Sequence, residues 1–205
     1  MTDSNNQSEG AAAQNRKRWT LIALLVLFIS PVVAGWLWTP TSFRNRGALI
    51  EPPRPLVSVP LLAPESNRME LESVLGRWTY VLFIEGQCES SCLQWASGIE
   101  RVRLSQGKNE KRIQLLIVTL DPNALDSLAA LRKEAPDLIT LAIAPQESQA
   151  LLSQFQTNGS GPREILELIY LVDPIGNLMM TYPRQSDPSD LRKDIGRLLR
   201  ASRIG

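Results

Sequence analysis

Trp78-Thr79-Tyr80-Val81-Leu82-Phe83-Ile84-Glu85-Gly86-Gln87-Cys88-Glu89-Ser90-Ser91-Cys92 is the stretch that decides the fold. Its apolar run, Tyr80 to Ile84, reads as a buried strand, and Gly86-Gln87 reads as a turn. The only two cysteines of the chain follow, four residues apart. Behind them Leu93, Ala96, Ile99 and Val102 recur at helical spacing, which predicts a helix over 90–104 broken in pattern only by Gly98. The two sulfurs therefore sit where a core strand becomes a helix. Backbone N–H groups and the helix dipole ease thiolate formation at such a place.

Composition narrows the chemistry. The 205 residues carry 22 Lys and Arg against 21 Asp and Glu, a formal charge of +1, which gives no global argument for nucleic acid. The histidine count is zero. That removes Ser-His and Cys-His catalysis and imidazole-based zinc or copper sites. Two cysteines also fall short of a four-thiolate zinc site within one chain.

Upstream of the motif, residues 1–18 are polar and small or basic and read as a disordered cytoplasmic N-terminus. Arg16-Lys17-Arg18 then precedes Trp19 to Trp38, a run without a charged residue. At ~1.5 Å per residue it covers a hydrocarbon core of ~30 Å, so 19–38 reads as a transmembrane helix. Trp19, Trp36 and Trp38 suit the two interfaces, and a membrane helix tolerates Pro31. A signal peptide cleaved near Val32-Val33-Ala34 is the rival, but its apolar core of ~7–15 residues would be shorter. Arg16, Lys17 and Arg18 before the span are matched in number by Arg44, Arg46 and Arg54 after it, so charge alone ties the orientation. A dithiol that cycles with a disulfide suits an oxidising compartment, which places the C-terminal domain on the outer, periplasmic-type side. Six of the fourteen prolines fall in 39–64, which reads as a semi-rigid linker, with Leu56 to Leu62 as a candidate edge strand.

From 65 onward the pattern is regular. Strands are expected at Tyr80–Ile84, Ile113–Leu120, Leu138–Ile143, Ile165–Val172 and Leu178–Tyr182. Helices are expected at Ser90–Leu104, Ala124–Glu134, Ser148–Phe155 and Asp187–Ala201. Arg192, Lys193, Arg197 and Arg200 on the last helix read as a solvated face beside Asp190 and Asp194. This order predicts one α/β domain over 65–205, a mixed sheet flanked by helices, with a parallel crossover followed by an antiparallel hairpin. That is the layout of a thioredoxin-like fold.

At this point the chain resembles the Sco family of membrane-anchored, thioredoxin-fold proteins of cytochrome c oxidase assembly. The features that carry the resemblance are an N-terminal anchor and a strand and glycine before Cys-x-x-x-Cys, here Phe83 to Cys92. A second strand ends in Asp121-Pro122, and the hairpin reads Tyr170-Leu171-Val172-Asp173-Pro174-Ile175-Gly176. The resemblance covers residues 60–200 and implies copper as a ligand and oxidase subunits or assembly factors as partners. The chain departs from it in three places. Glu89 and Leu93 stand where the family has proline after each cysteine, and Pro162-Arg163-Glu164-Ile165 stands where the family has its third copper ligand, a histidine.

Three functions stay open. One is thiol-disulfide exchange through Cys88 and Cys92, with Cys88 attacking and Cys92 resolving through a readily reduced bond. The second is Cu(I) binding by the same two cysteines with Met179 or Met180. The third is a docking scaffold in which the cysteines pack as small apolar residues or form an inert bond. Glu85 and Glu89 disfavour an anion beside them. Trp95 and Pro162 are candidates for contact with a client, Pro162 as the loop proline that faces the dithiol in thioredoxin-like folds.

Overall fold

The structure is a computed structural model that describes residues 4–37, 45–64, 67–135, 137–157 and 161–202. It divides into two units, Met1–Arg44 and Asn45–Gly205. The first holds helix α1, Ser4–Leu37. Its window Arg18–Trp36 has a mean hydropathy of 2.1 with every described side chain exposed. A helix apolar on all sides needs apolar surroundings, so α1 is long and apolar enough to cross a membrane. Residues 4–18, read from composition as disordered, are helical here. The apolar turns downstream supply the costly nucleus, and Ala11, Ala12, Ala13 and Gln14 extend it at little cost.

The second unit is built on one eight-stranded sheet in the order β1 (Ala48–Pro55), β8 (Asn177–Pro183), β7 (Leu168–Val172), β4 (Trp78–Ile84), β5 (Ile113–Thr119), β6 (Leu138–Ala142), β2 (Pro60–Leu62), β3 (Arg68–Glu70). β4, β5 and β6 are parallel. β7 and β8 form the antiparallel hairpin beside β4. All seven residues of β4 and of β5 are buried, which explains their unbroken apolar runs: both faces of the sheet are covered. Because side chains alternate along a strand, β4 and β5 feed two cores. Tyr80, Leu82, Ile84, Leu115 and Ile117 meet α2 (Ser90–Leu104) and α6 (Pro188–Ala201) through Cys92, Ala96, Ile99, Leu191 and Ile195. Val81, Phe83, Leu116 and Val118 meet α4 (Pro145–Phe155) through Leu151 and Phe155 on the opposite face. There Phe83, Phe155 and Tyr170 stack edge to face, with ring centroids 4.8, 5.9 and 5.0 Å apart.

Several expectations are corrected. From Asn45 to Pro64 the proline-rich segment is no detached spacer; residues 39–44 lie outside the described residues. β1 pairs with β8 at one edge of the sheet, while β2 pairs with β6 and with β3 at the other. Proline is tolerated in β1 because one side of an edge strand needs no ladder bond, and β1 also shifts register between Leu49 and Arg54. β2 lies inside β3 rather than at the edge, and its Pro60 is the first residue of the strand, with no register partner on β6. The folded unit thus starts at Asn45 rather than 65. The helix expected over 124–134 breaks into two short 3-10 turns followed by α3 (Ala129–Glu134). The strand expected from Ile165 begins at Leu168, because Pro162–Leu166 forms the short helix α5. Proline at the first helical position, with φ already fixed, starts that turn.

Asp194 does not share the solvated face of α6. It is 1% exposed and accepts hydrogen bonds from the backbone N–H of Arg46 (2.8 Å) and of Gly47 (3.0 Å) and from the Tyr182 hydroxyl (3.2 Å). Burial, and then the neighbouring Tyr80 and Asp194, push the Tyr182 hydroxyl well above its ordinary pKa. A Cβ at Gly47 would stand 2.5 Å from the Tyr182 ring, so only glycine lets the backbone come this close.

Candidate dithiol site

β4 ends at Ile84, whose carbonyl accepts from Leu120 N–H at 2.9 Å just beyond the end of β5. The chain then turns at Gly86, held at φ +73°, a left-handed conformation that favours glycine. Thr119 donates its hydroxyl to the Gly86 carbonyl at 3.3 Å and pins the turn to β5. Cys88 follows, then Glu89 as the residue that caps α2. The Glu89 side chain makes no capping hydrogen bond, so the first turn of α2 is left without a side-chain acceptor. Cys92 falls one turn into the helix.

The sulfurs are joined in a disulfide with Cα atoms 5.2 Å apart, inside the range that bridges without backbone movement. The two are unequally placed. Cys92 is 4% exposed, packed among Ala96, Ile84 and their neighbours, while Cys88 is half-buried at the rim of that core. Glu85 and Glu89 are exposed. Of the two cysteines Cys88 is thus the more accessible from solvent.

Trp95 is half-buried and lines a groove along the start of α2 with Ser91, Arg184 and the turn before α6. Pro162 opens α5, which topology puts at the same end of the sheet as Cys88; its side chain and residues 158–160 lie outside the described set. The cis X–Pro bond among the described residues is Glu51–Pro52. The sheet register sets Met180, and with it the neighbouring Met179, back from the end of β4. Met180 pairs with Leu171 and Leu171 with Tyr80, four residues before the end of β4 and two strands away. At ~3.3 Å per residue and ~4.8 Å per strand they stand more than ~10 Å from the strand end. Ile165, in the stretch where the resembled family has its histidine, is fully buried with Phe83 and Tyr170 on the face opposite Cys92. Among the described residues no group of three His, Cys, Asp or Glu gathers to hold a metal. The donor set is two sulfurs, which does not fit a three-ligand copper site.

Arg184 went unnoticed in the sequence, where it follows Tyr182-Pro183 without any motif. Its Nη2 donates to the Phe83 carbonyl beyond the reach of β7, and its backbone N–H reaches the Glu167 carbonyl at 2.9 Å. Its Nε is buried without a partner, and desolvation holds its guanidinium below the ordinary arginine pKa.

Fold and site together define a thioredoxin-like protein with one accessible and one sealed cysteine at the end of the central strands. The chain belongs to the family described as transmembrane-like, thioredoxin-like, C-terminal domain, whose model matches residues 78–202. No curated protein matches it. Among solved structures it is similar to Arabidopsis thaliana ScoI with copper bound, at 17% identity and TM-score 0.58, over 71% of this chain and 98% of that one. It is likewise similar to apo Sco1 from Thermus thermophilus, at 16% identity and TM-score 0.59, over 79% and 99%. A third, BsSco, was solved with a disulfide switch as a member of the Sco family of cytochrome c oxidase assembly proteins. It shares 17% identity at TM-score 0.53, over 74% and 96%. At these identities the likeness is one of fold, and the fold is that of the Sco proteins.

Proposed function

We propose that this protein is a membrane-anchored thiol-disulfide exchange protein acting through Cys88 and Cys92 in cytochrome c oxidase assembly, at its copper site. The observation that carries the proposal is the unequal burial of the bridged pair. A client thiolate attacks Cys88 Sγ, the Cys88–Cys92 bond breaks, and Cys92 leaves as the thiolate. A second client thiolate then attacks its partner's sulfur in the mixed disulfide and releases Cys88. The client dithiol is oxidised to a disulfide while the protein disulfide is reduced, two electrons passing between them. Run backwards, Cys88 thiolate attacks a client disulfide and Cys92 resolves the product. The bare first turn of α2 stabilises the thiolate at Cys88 in either direction.

The oxidase pathway is drawn from BsSco and from the ordered motifs, and the outer side of the membrane from the disulfide, which suits an oxidising compartment. The test is trapping. Cys92→Ser, lacking the resolving sulfur, should accumulate a mixed disulfide with its client in the membrane, and the double variant without Cys88 should not. If Cys92→Ser captures nothing and Cys88→Ser leaves oxidase levels normal, the proposal fails.

Copper-bound Arabidopsis ScoI favours one second reading, Cu(I) held by the reduced pair, since thiolates suit that ion. Anaerobic Cu(I) titration decides it: affinity equal to that of the double Cys→Ser variant rules it out.

A further inference from the structure

The groove along the start of α2 has a volume of about 610 Å³. Ser91 lines it, three residues after Cys88 and on the first turn of α2, so the groove adjoins the helix turn that carries the bridge. Trp95 and Arg184 both form part of its wall, Arg184 from the turn between β8 and α6 with Nη2 held by the Phe83 carbonyl. Arg184 is unusual among the described cations. It is partly buried, its Nε has no partner, and no described carboxylate comes within ion-pair distance. Glu167 acts on it only through space. A cation withdrawn from water without a counter-charge is costly unless some state of the protein supplies one.

The other charges of the groove do not fill that role. Asp187 is exposed and its carboxylate accepts the Ser189 N–H at 2.7 Å as the cap of α6. Glu167 and Arg101 are exposed and so screened by water. The charge that acts at short range and low dielectric is the guanidinium. An aromatic wall, a partly desolvated cation and a place along the first turn of α2 describe a seat for an extended polypeptide that carries an anion near its cysteine.

We propose that the groove between the first turns of α2 and the β8–α6 turn docks the client's cysteine-bearing segment, and that Arg184 selects an acidic residue within it. The proposal rests on the exchange reading for its client but is tested by binding alone. The probes are synthetic nonapeptides in which the client cysteine is replaced by serine, with Glu, Gln or Lys scanned through the three positions on either side. They are titrated by calorimetry against the full chain in detergent micelles. At one position the Glu peptide should bind about tenfold or more tightly than its Gln counterpart, as a charge-assisted hydrogen bond in a partly desolvated site requires. The Lys peptide should bind least. Arg184→Gln should abolish the preference and Arg184→Lys should retain part of it. Equal affinities at every position in the native chain overturn the proposal without any variant having to fold, as does a preference that survives Arg184→Gln. Exchange with a small dithiol is measured in parallel. A protein that prefers the Glu peptide yet exchanges with no dithiol would refute the redox reading and keep the groove; normal exchange without preference would do the reverse.

Discussion

Replacing Asp194 by alanine tests how the fold is closed around the start of the second unit. The carboxylate is 1% exposed and serves four donors: Arg46 N–H, Gly47 N–H, the Tyr182 hydroxyl and Arg197 Nη1. The bonds to Gly47 and Tyr182 are buried, and alanine leaves both of those donors unsatisfied. An orphaned buried donor costs about 1–3 kcal/mol, so the pair costs about 2–6 kcal/mol. The ion pair to Arg197, at 3.4 Å with an arginine side chain 42% exposed, adds little. A loss of about 4 kcal/mol, at a urea slope of about 2 kcal/mol per molar, lowers the unfolding midpoint by about 2 M. The loss should also be local, because Arg46 and Gly47 lead directly into β1. Hydrogen exchange at Ala48 and Leu49 should accelerate far more than at Leu116 in the centre of the sheet. The assay is urea unfolding of the full chain in micelles, followed by exchange with mass-spectrometric readout. A midpoint within about 0.3 M of the parent, with β1 still protected, would refute the assignment of Asp194 as the clasp of that strand.

Three further outcomes follow from the same geometry. Gly47→Ala forces a Cβ to 2.5 Å from the Tyr182 ring and should destabilise by about 1–3 kcal/mol in thermal melts, with no effect on dithiol exchange. Reducing Cys88–Cys92 opens a five-residue loop; chain entropy then predicts a loss of about 2 kcal/mol, read as the difference between urea curves with and without reductant. The N–H of Ser189 holds the Asp187 carboxyl below the usual carboxylate range in the folded state, so its contribution is present at neutral pH and is lost as pH falls through that lowered value. Asp187→Asn should therefore flatten the acid side of the Tm–pH profile, and an unchanged slope would remove Asp187 from the account.

The parts of the fold that could be read from sequence are those where one physical signal dominates. The apolar runs of β4 and β5 and the helical spacing behind Cys92 gave strand and helix near their observed limits, because burial on both faces leaves no other pattern for such residues. The site was legible as far as the cysteines, since a turn glycine between strand and helix is local chemistry. Arg184 was not, because its significance comes from the Phe83 carbonyl 101 residues away. Asp194 likewise looked like one more charge on a helix until the fold brought Gly47 to it. The 39–64 segment misled for a related reason. Proline content records what a backbone cannot do inside a sheet, and is silent on edges, where the same residues pair.

That proline-rich segment bears on where the gene is cut. A soluble fragment begun at residue 65, after the last of its prolines, would discard β1 and β2 together. It would uncover the outer sides of β8 and β6, two open rows of amide and carbonyl groups on which one molecule can template the next. Fragments that start at Asn45, beyond α1, keep both flanks covered and are the ones to expect in solution as single molecules.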